Sequence, residues 1–258
     1  MSLHDAYARL TPFEVLFRSP AEAEALAEAV AEEAAGRGVD VSEPHAFVTM
    51  GAVTTFLRGI QGETASPESI HPYGALAWHA LHFARSGFPL YLLDTSAARY
   101  LVEGSPPGTQ EGPGRSGYLQ LPQHLFWTEA ASGVPEPVDG IFWKVTEPDA
   151  LHVLVVTGLR QDRSALGVVA LPRAPASAVA SWVAIDARGD GSDFASAMPG
   201  SDLDVLYAFR TSGEIFKLLA RFFAYATAVP EALVPRGATT GGAPEPSVLP
   251  FVRVTLTG

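Results

Sequence analysis

The sequence predicts an α+β fold: a helix-rich α/β part over residues 1–104, and an antiparallel β-meander with one covering apolar helix over 118–258. Three observations predict it. Capped runs with apolar residues at helical spacing fill the first part. Short β-rich runs separated by Pro, Gly and Asp turns fill the second. Between them, "EGSPPGTQEGPGRSG" (103–117) has the composition of a linker or long loop, so residues 105–117 divide the two parts. One compact domain and two lobes are equally open.

The elements follow in order. "TPFEVLFRSP" alternates, with Phe13, Val15 and Phe17 on one side, and reads as a strand. Ser19, Pro20 and Glu22 then supply a helix start: a cap, a first-turn proline and a capping-box glutamate. This helix is expected to run to about Ala35 and stop at Gly36, with Leu26 and Val30 inward and Glu24, Glu28 and Glu32 as an acidic ridge. "VDV" (39–41) reads as a second strand. Phe47, Met50, Leu57 and Ile60 recur at helical spacing after Pro44, and "QGETASPES" reads as a loop. A third helix begins near Pro72 and ends at Gly87; "FPLYLLDTSAARYLV" then reads as strand, turn and helix.

In the second part "HLFWTE", "GIFWKVT", "LHVLVVTGL", "ALGVVAL" and "SWVAID" read as strands. Leu151 to Val156 is apolar on both phases except at His152, as a strand covered on both faces requires. Thr211 and Glu214 form a capping box opening "EIFKLLARFFAYAT", whose wide apolar stripe makes it the main cover of the sheet. Phe251, Val252, Val254 and Leu256 predict a final strand. The preceding "LVPRG" (233–237) matches a thrombin cleavage sequence and is expected in an exposed loop.

Composition limits function. Apolar residues make up 47% and charged residues 17%, a core-rich balance. The net charge is −11, with −7 in residues 1–104 and −4 in 105–258, so phosphate backbones are repelled and nucleic acid is not an expected partner. With no cysteine there is no disulfide, thiolate metal site or cysteine nucleophile. "MSLHDAYARL" does not read as a signal peptide, and no apolar run reaches spanning length, so a cytoplasmic protein without a membrane partner is expected. Fifteen arginines against two lysines suggest a GC-rich bacterial genome.

"HPYGALAWHALHF" (71–83) holds the densest group of candidate functional residues. On a helical wheel Leu76, Ala77, Ala80, Leu81, Phe83 and Ala84 fall within about 80° of Tyr73 and form the core face. His79 and His82 fall opposite, beside Trp78 and Arg85, and His71 projects the same way. This predicts a solvated face. His79 and His82, one turn apart, could share a metal only with a third ligand, and none lies nearby in sequence, so no metal is expected. An exposed Trp78 would mark a contact surface. Asp94, Thr95 and Ser96 lie where a strand turns into a helix, a common ligand position in α/β proteins that is also served by ordinary capping. "DARGDGSDF" (186–194) imitates a calcium loop through Asp186, Asp190 and Asp193. It has Arg188 at the third position and Ala197 at the twelfth, so a polar turn is expected; the same holds for Asp202 and Asp204. Nucleophile-elbow, phosphate-loop and dinucleotide motifs are missing, and no cofactor is expected.

The leading functional expectation is a soluble, non-catalytic protein that binds a protein or small-molecule partner through Trp78, His79, His82, Thr95 and Ser96. The alternative is a hydrolase or transferase with His79, His82 and Asp94 in a cleft between the two parts. A third reading is a structural or assembly subunit forming a homo-oligomer.

Overall fold

The computed structural model describes residues 8–62, 66–105, 114–129, 135–158, 167–186, 189, 194–196, 207–237 and 247–257. Asp190, Asp193, Asp202, Asp204 and most of the Gly/Pro-rich segment lie outside them. In chain order the helices are α1 (Pro12–Leu16), α2 (Pro20–Arg37), α3 (Pro44–Phe47), α4 (Gly51–Gln61), α5 (Pro67–Arg85), α6 (Thr95–Glu103), α7 (Val179–Trp182) and α8 (Ser212–Ala228). The strands are β1 (Leu90–Leu93), β2 (Ser116–Gln120), β3 (Phe126–Glu129), β4 (Pro135–Thr146), β5 (Ala150–Thr157), β6 (Gly167–Ala170), β7 (Ala195–Ser196), β8 (Tyr207–Phe209), β9 (Leu233–Arg236) and β10 (Phe251–Val254). The fold is α+β, with helices preceding a strand-rich part.

One mixed sheet runs β6-β5-β4-β2-β1-β10-β9, and β3, β8 and β7 branch from the first residues of β4. The expected antiparallel meander is present as β4-β5-β6. Beyond it, β1 pairs in parallel with both β2 and β10, and β3 with β8. The parallel β1-β2 pair has α6 between its two strands in the chain, as a crossover between parallel neighbours requires. β1, from the helix-rich part, thus lies inside the sheet completed by the second part.

Residue parity separates two cores. Leu90, Leu92, Tyr118, Phe142, Leu154 and Phe251 face α1, α2, α4 and α5. Tyr91, Leu93, Leu119, Trp143, Val153 and Val155 face α6 and α8. β5 is buried along its length, as its doubly apolar sequence predicts. Helix α8 covers only one face. Its Arg221 reaches the end of α6, where Nη1 donates to Leu101 O at 2.8 Å and Val102 O at 2.6 Å, satisfying carbonyls the helix leaves free.

Several local expectations are corrected. Residues 12–16 form α1, because Thr11 and Glu14 make a capping box that holds a turn. Leu16, placed outward by alternation, is fully buried. Helix α2 continues to Arg37, and Gly38 ends it with φ +64°, the left-handed conformation glycine tolerates; Val39 N–H then bonds Ala34 O at 3.0 Å, which leaves 39–41 as a connection. The helix expected from Pro44 breaks into α3 and α4. Both carboxylate oxygens of Glu33, on α2, accept from Gly51 N and Ala52 N at 2.9 Å and cap α4 from outside its own segment. α5 starts at Pro67 and carries Pro72 inside its first turns. The "SWVAID" stretch begins within α7, and "LVPR" forms edge strand β9, paired with β10. The expected strand-turn-helix at 90–103, the capping box of α8 and the final strand are all present.

Candidate functional site

Helix α5 lies between the sheet and the remaining N-terminal helices, so it is buried on nearly every side over residues 73–81. This overturns the solvated-face expectation. Trp78 is 1% exposed and His79 3%; His82 is half-buried and His71 exposed. The helical wheel correctly found one packed face but could not show that the opposite face is packed as well. Trp78 therefore offers no surface contact patch.

The indole of Trp78 is ringed by imidazoles. His82, one turn on, has its centroid 4.4 Å away at 66°; His79 is 4.8 Å away at 85°; His152, from β5, is 5.2 Å away at 69°. On its sheet side His79 stacks over Phe142 of β4 at 5.9 Å. These contacts are edge-to-face or stacked, as aromatic quadrupoles favour. Among the described residues neither Trp78 Nε1 nor His79 Nδ1 has a hydrogen-bond partner.

β4 and β5 add a polar group on the same face. His152 Nε2 lies 3.3 Å from Glu43 Oε2 and 3.1 Å from Thr146 Oγ1. Thr146 Oγ1 donates to Glu43 Oε1 at 3.2 Å, and Arg173 Nη1 approaches that oxygen at 3.8 Å. Glu43 occupies the N-cap position of α3 but makes no side-chain cap there; its carboxylate turns to the sheet. Lys144 stands opposite His152 across the β4-β5 pair.

Burial sets the protonation of this cluster. It holds the His79 imidazole well below its ordinary pKa, with His152 and His82 adding to the effect. Burial, then Lys144 and Arg85, bring His82 down to about 4. His152 is lowered chiefly by burial, against the opposing pull of Glu43. Lys144 is lowered by burial and then by Arg115. At neutral pH the three rings around Trp78 are uncharged, each able to donate one hydrogen bond and accept another.

Two cavities flank this cluster. One, of about 170 Å³, is lined by His45, His71, His79 and His152, with Pro44, Val48, Ala75, Val153, Ala170 and Leu171 as its apolar wall. The other, of about 210 Å³, lies against α2, α3 and α5 and includes Trp78, His82 and Arg85.

Among the described residues no three His, Asp or Glu side chains converge as metal ligands. The Glu43-His152-Thr146 contacts do not form a nucleophile relay either. A relay needs the carboxylate on one ring nitrogen and the hydroxyl on the other; here both meet Nε2. Asp94 is engaged elsewhere. Its Oδ1 accepts from Ala97 N at 2.8 Å as the cap of α6, and its Oδ2 lies 3.9 Å from Arg253 Nη2. Thr95 and Ser96 open α6 beside it. Asp186 Oδ1 accepts from Gly189 N at 3.1 Å.

The structure thus brings together Trp78, His79 and His82 and adds Glu43, Lys144, Thr146 and His152. His152 carried a signal in the sequence, as the one polar residue in an apolar strand. Glu43, just before Pro44, carried no such signal. No helix among the described residues is long and apolar enough to cross a membrane. No protein family, curated protein or solved structure matches this chain.

Proposed function

We propose that this protein is a non-catalytic binder of a small, uncharged molecule, held in the histidine-lined cavity. The observation that carries the reading is the cavity wall itself: four imidazoles set among Val48, Ala75, Ala170 and Leu171. The buried His79 and His152 rings, uncharged at neutral pH and set in an apolar wall, favour a ligand with a hydrocarbon body and one hydrogen-bonding group. The volume, about 170 Å³, suits a benzene-sized body. A small ligand is favoured over a docked protein because Trp78, the expected contact residue, is internal.

The hydrolase or transferase alternative, expected on His79, His82 and Asp94, is disfavoured because Asp94 caps α6; a version built on the Thr146-His152 contact is disfavoured because the shared Nε2 leaves Glu43 unable to orient the ring for proton transfer. The test is calorimetric titration with phenol. Saturable binding is expected, lost when the exposed edge-strand residue Ala170 is enlarged by Ala170→Leu. Absence of saturable binding to the unaltered protein overturns the reading.

A further inference from the structure

We propose that the second cavity, bounded by α2, α3 and α5, is a separate binding site for a short amphipathic monocarboxylate. The cavity, about 210 Å³, has an apolar body formed by Val30, Phe47, Leu81 and the Trp78 ring, with Arg85 and His82 on the α5 side. Among the described lining residues Arg85 is the one with full charge at neutral pH, and none of them is a carboxylate. The chain therefore offers hydrocarbon contact and a planar cation side by side, the combination a carboxylate with a short alkyl tail requires.

Two further observations fit this ligand class. Arg85 Nη2 already holds a carboxylate oxygen of Glu24 at 3.4 Å, across side chains that are 52% and 58% exposed. So open a pair is weak and exchangeable, and a ligand carboxylate can join or replace Glu24. Lys144 and Arg85 also bear on His82 in this wall: after burial they are the largest causes of its low pKa. The acidic ridge of α2 disfavours anions in general, which selects for ligands whose tail is buried as well. A volume near 210 Å³ accommodates a chain of roughly six carbons, judged against the roughly 150 Å³ that admits benzene.

The test is titration of the full chain with hexanoate, hexan-1-ol and hexylamine, followed by calorimetry. Hexanoate is expected to bind saturably, more tightly than hexan-1-ol, with hexylamine weakest. Arg85→Gln should weaken hexanoate roughly tenfold and leave hexan-1-ol unchanged. Glu24→Gln, which releases Arg85, should tighten it. Ala31→Phe, at the α2 side of the cavity, should abolish binding of both while the circular dichroism spectrum stays that of the folded protein. Ala170→Leu, in the histidine-lined cavity, should leave hexanoate binding intact, which keeps this test independent of the function proposed above. The proposal is overturned by equal binding of hexanoate and hexan-1-ol, by tighter binding of hexylamine, by no saturable hexanoate binding, or by hexanoate binding that ignores Arg85→Gln or responds to Ala170→Leu.

Discussion

Glu43 Oε2 and His152 Nε2 lie 3.3 Å apart, joining the entrance of α3 to the middle layer of the sheet. Thr146 bonds both, so removing the carboxylate leaves a hydroxyl and an imidazole with one acceptor fewer in a mostly dry setting.

Glu43→Ala is therefore expected to cost about 1–3 kcal/mol in urea unfolding. Glu43 holds the His152 pKa up against burial, so the same variant should lower the His152 titration in NMR. An unchanged titration would remove Glu43 from this cluster.

Acid should destabilise the fold, and the sign follows from the histidines. The His82 pKa falls from an ordinary 6.5 to about 4 on folding. Between those values the unfolded chain binds more protons than the folded one, so stability is full above about pH 6.5 and declines as pH falls toward 4. His82 contributes on the order of 2 kcal/mol, allowing for water at its half-buried edge. Thermal melts from pH 7 to 4 should show a falling Tm, with a shallower slope in His82→Asn. A Tm that rises on acidification would contradict this assignment.

The burial of Trp78 and His79 replaces the small effects expected of surface residues with core-sized ones. Trp78→Ala should cost ~3–5 kcal/mol and His79→Ala ~2 kcal/mol, mostly through the cavities they leave. Losses below about 0.5 kcal/mol for both would place these rings outside the packed interior.

Gly74 is predicted to resist replacement. In an ordinary helix Gly→Ala gains up to about 1 kcal/mol. Here a Cβ would stand 2.5 Å from Val48 Cγ1 and 2.9 Å from Val48 Cβ, so α5 would have to move away from α3. Overpacking costs ~1–3 kcal/mol and outweighs the propensity gain. Gly74→Ala should lower Tm, and because Val48 and Ala75 line the histidine cavity, it should also weaken phenol binding.

Thrombin cleavage after Arg236 should be slow in the native protein, because Leu233 to Arg236 pair with β10 instead of hanging free. Exposure of Pro235 and Arg236 at the edge still permits cleavage on local opening. The released C-terminal piece should co-elute with the rest on native size exclusion, since β10 is also paired with β1. Rapid cleavage, or separation of the fragment, would mean that this end of the sheet is not held.

The caps and strong periodicities were legible in the sequence. Ser19, Asp94 and Thr211 each precede a helix, and the runs of β1, β4, β5 and β10 announce themselves, because the hydrogen bonds and apolar repeats involved are local. His152 stood out as a polar residue in an otherwise apolar strand, and the missing catalytic motifs were equally visible.

What surrounds each element was decided by tertiary structure alone. A helical wheel assigns directions on a cylinder, and only packing shows which of those directions meet solvent. α5 meets the sheet on one side and helices on the other, so Trp78 and His79, which the wheel places opposite the core face, are internal. Glu33 capping α4, Glu43 reaching His152 and Glu24 meeting Arg85 all join segments whose order in the chain gives no hint of contact. The sequence by itself determined the α+β class, the local caps and the doubly apolar strands. The three imidazoles around one indole, their loss of charge and the two cavities beside them exist only once distant segments have packed, because burial and Coulomb interactions depend on distance in space.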